Sequence, residues 1–148
     1  MSLIMKELAK EDRDVFIEMS DDFFNSVEGE EIKPPEHFQK NFTYLLSPQH
    51  NAKCFLICEQ QKRPLGFLVI CFSYSTEGAR EVIWVEDLYI KSQQRGKQWG
   101  SKVLKWLEEQ YPQVRLRLET WPSNTGARRL YERMGYQKEK LIPYTKNL

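Results

Sequence analysis

Read for hydrophobic spacing, the chain divides into stretches with apolar residues every three or four positions and stretches of alternating or continuous apolar character. Leu3 to Leu8 reads as a short strand. Lys10 to Asn25 places Val15, Phe16, Met19, Phe23 and Phe24 at helical spacing, with Asp12, Asp14, Glu18, Asp21 and Asp22 opposite. Ser26 to Lys33 reads as a loop in which Glu28, Glu30 and Glu31 extend the acidic run. Pro34 and Pro35 suit the opening of a second helix, where a missing N–H costs little, and Phe38, Phe42, Leu45 and Leu46 give it an apolar face. Lys53–Glu59, Leu65–Tyr74 and Arg80–Ile90, parted by turns at Arg63-Pro64 and Gly78, read as an antiparallel meander. A helix beginning near Gln98 carries Val103, Leu104 and Leu107. Gln113 to Thr120 alternates as a strand that Pro122 stops, and Ser123 or Asn124 can cap a last helix over Thr125–Met134. Gly135 ends that helix, and Tyr136 to Lys146 offers one or two final strands. The order βααβββαβαβ predicts a single mixed α+β domain.

Composition narrows the function. With 148 residues, 41% hydrophobic and 13% aromatic, the chain can bury its own core. A net charge of +1 gives no general attraction for nucleic acid or anionic membrane. Arg115, Arg117, Arg128, Arg129 and Arg133 read as ion-pairing partners rather than a nucleic-acid patch. No apolar run is long enough to span a bilayer. Cys54, Cys58 and Cys71 are odd in number, lack CxxC spacing and fall in apolar strands, which favours buried reduced thiols and a cytoplasmic setting. His37 and His50 are isolated and read as surface residues.

Candidate chemistry lies between Trp84 and Leu107. A strand ending Glu86-Asp87-Leu88-Tyr89-Ile90 runs into a polar turn, Lys91 to Gly100, and then into a helix. Free N–H groups at a helix start, backed by the positive end of the macrodipole, form a phosphate site, and glycine lets backbone approach the ligand. The turn is not a Walker loop, because Gly96-Lys97 is followed by Gln98 and position 91 is Lys. It lacks the three glycines of the dinucleotide fingerprint. In a regular strand Glu86 shares a face with Trp84, Leu88 and Ile90, while Asp87 shares the other with Val85 and Tyr89. Only one carboxylate then faces a given cleft, unless a bulge disturbs the alternation.

Arg95-Gly96-Lys97-Gln98-Trp99-Gly100 resembles the Arg/Gln-x-x-Gly-x-Gly/Ala segment of the GNAT N-acetyltransferases, with Gln98 standing where the first motif glycine belongs. Asn124 to Tyr136 resembles that family's Asn-x-x-Ala-x-x-Leu-Tyr-x-x-x-Gly-Phe/Tyr block through Asn124, Ala127, Leu130, Tyr131, Gly135 and Tyr136. The resemblance implies a twisted mixed sheet whose fourth and fifth strands splay, with acyl-CoA lying in the gap. It implies cofactor contacts at Leu88, Tyr89 and Ile90, with the backbones of Leu88 and Ile90 pairing with pantetheine. The amides of Arg95, Gly96, Lys97, Gln98, Trp99, Gly100 and Ser101 would meet the pyrophosphate, Asn124 would hold the cofactor, and Tyr131 would stand near the thioester sulfur. It implies acetyl-CoA as cosubstrate and no metal. With Gln98 in the glycine position, weaker but retained acetyl-CoA binding is expected.

An amine must lose a proton before it attacks a thioester, and a nearby carboxylate can take it. Position in the family makes Glu86 the base, and the Tyr131 hydroxyl can reprotonate the departing thiolate. Glu86-Asp87-Leu88-Tyr89-Ile90 also resembles the corresponding strand of the diamine and polyamine acetyltransferases. With the acidic first helix, that similarity points to a small cationic amine met by Asp87, Asp21 and Asp22. Acetylation of a protein or peptide, and a non-catalytic acetyl-CoA-binding module, are the alternatives. A homodimer in which residues 139–146 exchange between copies is a further expectation from the family.

Overall fold

A computed structural model of the chain describes residues 2–27, 30–61 and 63–148, so Glu28 of the expected acidic loop lies outside the described residues. The meander forms as β2 (Ala52–Glu59), β3 (Gly66–Ser75) and β4 (Arg80–Ile90), paired antiparallel in that order. The N-terminal strand β1 (Leu3–Glu7) adds antiparallel to β2. β5 (Arg115–Leu118) adds parallel to β4, because the chain crosses over between them through a helix. The sheet order is therefore β1-β2-β3-β4-β5.

Strand alternation sends the apolar residues to two faces, and each face has its own cover. Helices α1 (Arg13–Asn25) and α2 (Pro35–Leu46) bury Phe16, Met19 and Phe42 against Leu56, Phe67, Val69 and Tyr89. Helix α3 (Trp99–Gln110) buries Trp99, Val103, Leu104 and Leu107 against Ile57, Leu68, Ile70, Ile83 and Val85. Helix α4 (Thr125–Arg133) joins the second face through Leu130 and Tyr131. Full burial of a Leu or Val side chain is worth ~1.5–3 kcal/mol, so these two layers fix the sheet's position between the helices. No described helix is long and apolar enough to cross a membrane.

Several boundaries differ from the sequence-based expectation. Lys10–Asp12 is a 3-10 turn ahead of α1, closed by Asp12, which accepts from the Ala9 amide (2.9 Å) and from Lys6 Nζ (2.5 Å). β5 is four residues long, shorter than the Gln113–Thr120 segment expected. No strand forms over residues 136–148. Among the described residues that tail has no ladder partner: Pro143 lacks an N–H, and Leu141, Ile142 and Tyr144 stand 73%, 75% and 91% exposed. Of the five arginines, Arg115 pairs with Glu77 at 3.1 Å, while Arg117 stacks on Trp84 and Arg128 donates to the Pro122 carbonyl.

The largest departure is in β4. Val69 stands opposite Asp87 and Ile70 opposite Val85, so Glu86 is an extra residue and β4 bulges there. Facing slips by one across the bulge: Ile83 and Val85 share the α3 side with Leu88 and Ile90. The regular alternation that would align Glu86 with Leu88 and Ile90 is thus broken.

Above the bulge, β3 and β4 approach closely at Gly66, which pairs with Ile90. A Cβ at Gly66 would sit 2.1 Å from the Tyr89 carbonyl oxygen, a backbone atom that cannot swing aside. Gly66→Ala is therefore expected to cost roughly 2–4 kcal/mol of unfolding free energy. Urea denaturation checks it, and a loss under roughly 0.5 kcal/mol would show that the two strands can part at no cost.

Candidate active site

β4 changes neighbours halfway along. Its residues Val82–Val85 pair with β5, but among the described residues no strand lies beside Glu86–Ile90 on that side. The β3 side remains paired to the end, with the Lys91 amide donating to the Leu65 carbonyl at 2.8 Å. Antiparallel ladders alternate hydrogen-bonded and non-hydrogen-bonded pairs. Counting back from Leu65–Lys91, Gly66–Ile90 and Leu68–Leu88 are non-hydrogen-bonded, so the N–H and C=O groups of Leu88 and Ile90 point into the opening. The Ile90 carbonyl there accepts from Arg95 Nε at 2.9 Å. Tyr89 differs, since its backbone faces β3 and its ring is buried under α1.

The mouth of the opening is the Lys91–Gly100 turn. Ser92–Gln94 makes one 3-10 turn, Gly96 takes φ +78°, and Gln98 caps α3 with φ 66° and ψ 18°. Position 98 is thus left-handed rather than helical: Gln98 follows the path a glycine would take. No side chain caps α3, and among the described residues the amides of Trp99, Gly100 and Ser101 have no acceptor. The side chain of Trp99 is 1% exposed and belongs to the core, so only its backbone faces the turn. Gly100 abuts Leu130 of α4, Arg95 and Lys97 are exposed, and nothing lies within 4 Å of a Cβ built on Gly96. An anion laid along this turn meets open N–H groups, two cations and the positive end of α3, so the residues fit a pyrophosphate.

α4 presents the second motif. The Asn124 side chain accepts from the Ala127 amide at 3.1 Å, which commits its carbonyl to capping and leaves its amide N–H₂ for a ligand. Tyr131 packs on the α3 side next to Tyr136, ring centroids 5.9 Å apart, and burial raises its phenol so that it stays protonated.

The bulge brings the two β4 carboxylates to the α1 side. Asp87 pairs across from Val69, whose side chain belongs to the α1/α2 core. Glu86 is exposed and Asp87 half-buried, and both charges, after burial, raise the Cys71 thiol. Burial, with the charge of Glu86 added, lifts the Asp87 carboxyl to about 7. The α1 acids divide differently: Glu18 pairs with Arg63 at 3.0 Å, exposed Asp21 accepts from Asn25, and Asp22 accepts from the Tyr89 hydroxyl at 2.5 Å. The Tyr89–Asp22 bond and the nearness of Cys71 carry no sequence signal. The bulge is fixed only by the pairing with β3, since two adjacent acids also fit a regular strand.

A mixed sheet opened between a fourth and a fifth strand, with unpaired helix amides at the mouth, is the arrangement the motifs imply. The profile of the Acetyltransferase (GNAT) family matches residues 13–136, and the chain belongs to that family. It is 34% identical over 94 residues to an uncharacterized N-acetyltransferase, MJ1530, of Methanocaldococcus jannaschii, covering 61% of this chain and 56% of that protein. It is 37% identical over 78 residues to the thialysine N-epsilon-acetyltransferase of Bos taurus, covering 49% and 44%. The chain thus spans about half the length of the curated relatives it matches. The crystal structure of a possible acetyltransferase from Clostridium difficile 630 superposes with a TM-score of 0.85 over 100% of this chain and 99% of that one, at 15% identity, a likeness of fold.

Two outcomes follow from this geometry. The folded-state pKa of Asp87 lies above the value near 4 of an unfolded chain, so its ionisation opposes folding as pH rises from ~4 through ~7. Asp87→Asn removes that opposition: urea titration should find variant and parent nearly equal at pH 4, and the variant more stable at pH 8 by at most about 4 kcal/mol. An advantage that shrinks with rising pH would show the carboxylate held by a cation instead. Gln98→Gly should relieve the left-handed strain and, net of glycine's flexibility, raise stability by up to about 1 kcal/mol. Calorimetry should find acetyl-CoA affinity changed by less than about twofold, because the backbone already follows the glycine path; a larger gain would show the Gln98 side chain obstructing the turn.

Proposed function

We propose that this protein moves the acetyl group of acetyl-CoA to the nitrogen of a small cationic primary amine. The observation that carries the acceptor is the Glu86–Asp87 pair, set by the bulge on the α1 side next to the opening of β4. An ammonium group is attracted to two adjacent carboxylates, and one of them is half-buried with a proton affinity unusual for its type. The relative that acts on thialysine supports an amine acceptor.

The chemistry divides among residues on both faces. The backbone of Leu88 and Ile90 and the amides at the start of α3 hold the acyl-CoA chain in the gap. Asp87 removes the amine proton, and Glu86, exposed beside it, passes that proton to water. An alkylamine has a pKa near ~10.4, so transfer to a carboxylate at about 7 is uphill by ~5 kcal/mol, against ~9 for one at ~4. The raised proton affinity of Asp87 is the reason it takes the role of base, which position in the family gives to Glu86. The freed lone pair attacks the thioester carbonyl and the N–C bond forms; the nitrogen, now cationic, gives its second proton to Asp87, already cleared through Glu86, and the C–S bond breaks. Tyr131 gives its phenolic proton to the departing thiolate and regains one from solvent. A backbone N–H of β4 directed into the opening stabilises the oxyanion. The exposed apolar tail, Leu141, Ile142 and Tyr144, supports the homodimer the family resemblance implies.

Thiol release from acetyl-CoA with spermidine, putrescine, an aminoglycoside, free amino acids and short peptides tests the reading. Turnover is expected with the small polyamines, its kcat/KM falling tenfold per pH unit below about 7 as Asp87 protonates. Asp87→Asn should lose about 10²-fold. Turnover confined to peptides would move the acceptor to proteins. Bound acetyl-CoA with no turnover would leave a binding module.

A further inference from the structure

Tyr89 lies two residues beyond Asp87 and on the same side of β4, and its hydroxyl reaches α1. It donates to Asp22 Oδ2 at 2.5 Å, with the ring 4% exposed and packed edge-on against Phe23 and tilted against Phe67, at centroid distances of 5.8 and 5.4 Å. We propose that Tyr89 and Asp22 are a positioning pair: their hydrogen bond locks the C-terminal half of α1 at one height over β4 and so sets the width of the acceptor cleft. The proposal rests on the acetyl-transfer reading for what the cleft receives, and it recasts Asp22 from a substrate ligand into an anchor.

The geometry separates this bond from ordinary packing. Apolar contacts between α1 and the sheet, through Phe16, Met19 and Phe23, hold the helix down but tolerate small sliding along its axis. A short directional bond from a ring that is itself wedged does not. Its β4 end is in turn fixed, because the Tyr89 carbonyl meets Gly66 too closely for any side chain there. The phenol is kept protonated, and therefore a donor, by burial and by the Asp22 bond and charge, with Glu18 adding to the effect and Arg95 opposing it. Arg95 itself bonds the Ile90 carbonyl, which ties the Lys91–Gly100 turn to the end of β4 one residue past Tyr89.

Three substitutions in the full chain test it, each compared in amine and acetyl-CoA kinetics and in amide hydrogen exchange over residues 18–25. Tyr89→Phe keeps the ring and removes the donor; Asp22→Ala removes the acceptor; Asp22→Asn keeps an accepting oxygen and removes only the charge. The first two should raise KM for the amine by about five- to tenfold and speed α1 exchange, leaving KM for acetyl-CoA within about twofold. The Tyr89→Phe/Asp22→Ala double variant should be no worse than either alone, and Asp22→Asn should behave as the parent. If Asp22→Asn matches Asp22→Ala while Tyr89→Phe is harmless, Asp22 binds the amine and the anchor is wrong. Independent, multiplicative losses would also overturn it. A parent that turns over no amine, with the exchange pattern as expected, would sink the acetyl-transfer reading and support the anchor.

Discussion

The structure depends on one constraint: β4 is paired to β3 on both sides of the bulge at Glu86, but to β5 over only its first half. An interior strand with one side left unpaired carries open N–H and C=O groups at the centre of the molecule, where such groups need partners. The fold tolerates this because everything else about β4 is fixed. β3 locks its register, α3 packs the side chains of Ile83, Val85, Leu88 and Ile90 from one face, and α1 reaches Tyr89 from the other. The opening is then a rigid slot rather than a frayed edge, and an extended ligand with amides of its own is the natural complement to it.

The same logic explains why a strained residue persists at the mouth of the slot. Gln98 is held left-handed, a conformation costing ~1–2 kcal/mol for a residue with a Cβ. Such strain survives only when the surroundings over-determine it. Here the next residue, Trp99, is driven wholly into the core at the first turn of α3, and Gly100 abuts Leu130 of α4. The helix start therefore cannot slide to relax position 98. Burying that indole leaves Nε1 without a partner among the described residues, a second local cost carried by the same packing.

What the sequence revealed, and what it hid, follows from the range of the interactions involved. The meander, the helices and the caps are local, set by apolar spacing, by Pro34-Pro35 and by Asn124, and they were legible. The Lys91–Gly100 turn and the Asn124–Tyr136 block were legible because together they match the family's spacing. The bulge was not, since Glu86-Asp87 reads equally well as two regular strand positions until β3 is laid beside it. The handedness of Gln98 was hidden because it is imposed by Trp99 seeking the core. Tyr89 and Asp22 lie far apart in the chain, and a pairing across that distance leaves no periodic trace. The tail misled because Leu141, Ile142 and Tyr144 have strand-like character, while a strand needs a partner as well as a propensity.

For the acetyl transfer proposed above, the bulge also resolves a difficulty that a single carboxylate would face. A lone buried base close to an incoming ammonium is stabilised in its charged form by that cation, which lowers its proton affinity at the moment a high one is required. With Glu86 alongside, the cation is shared. One carboxylate can hold the ammonium's charge while the other, Asp87, accepts the proton, and the negative charge left on Glu86 favours Asp87 in its neutral state. Adjacent positions on a regular strand could not do this, because they point to opposite faces. The extra residue in β4 is therefore what sets two acids next to each other in sequence on one face, as the proposed chemistry requires.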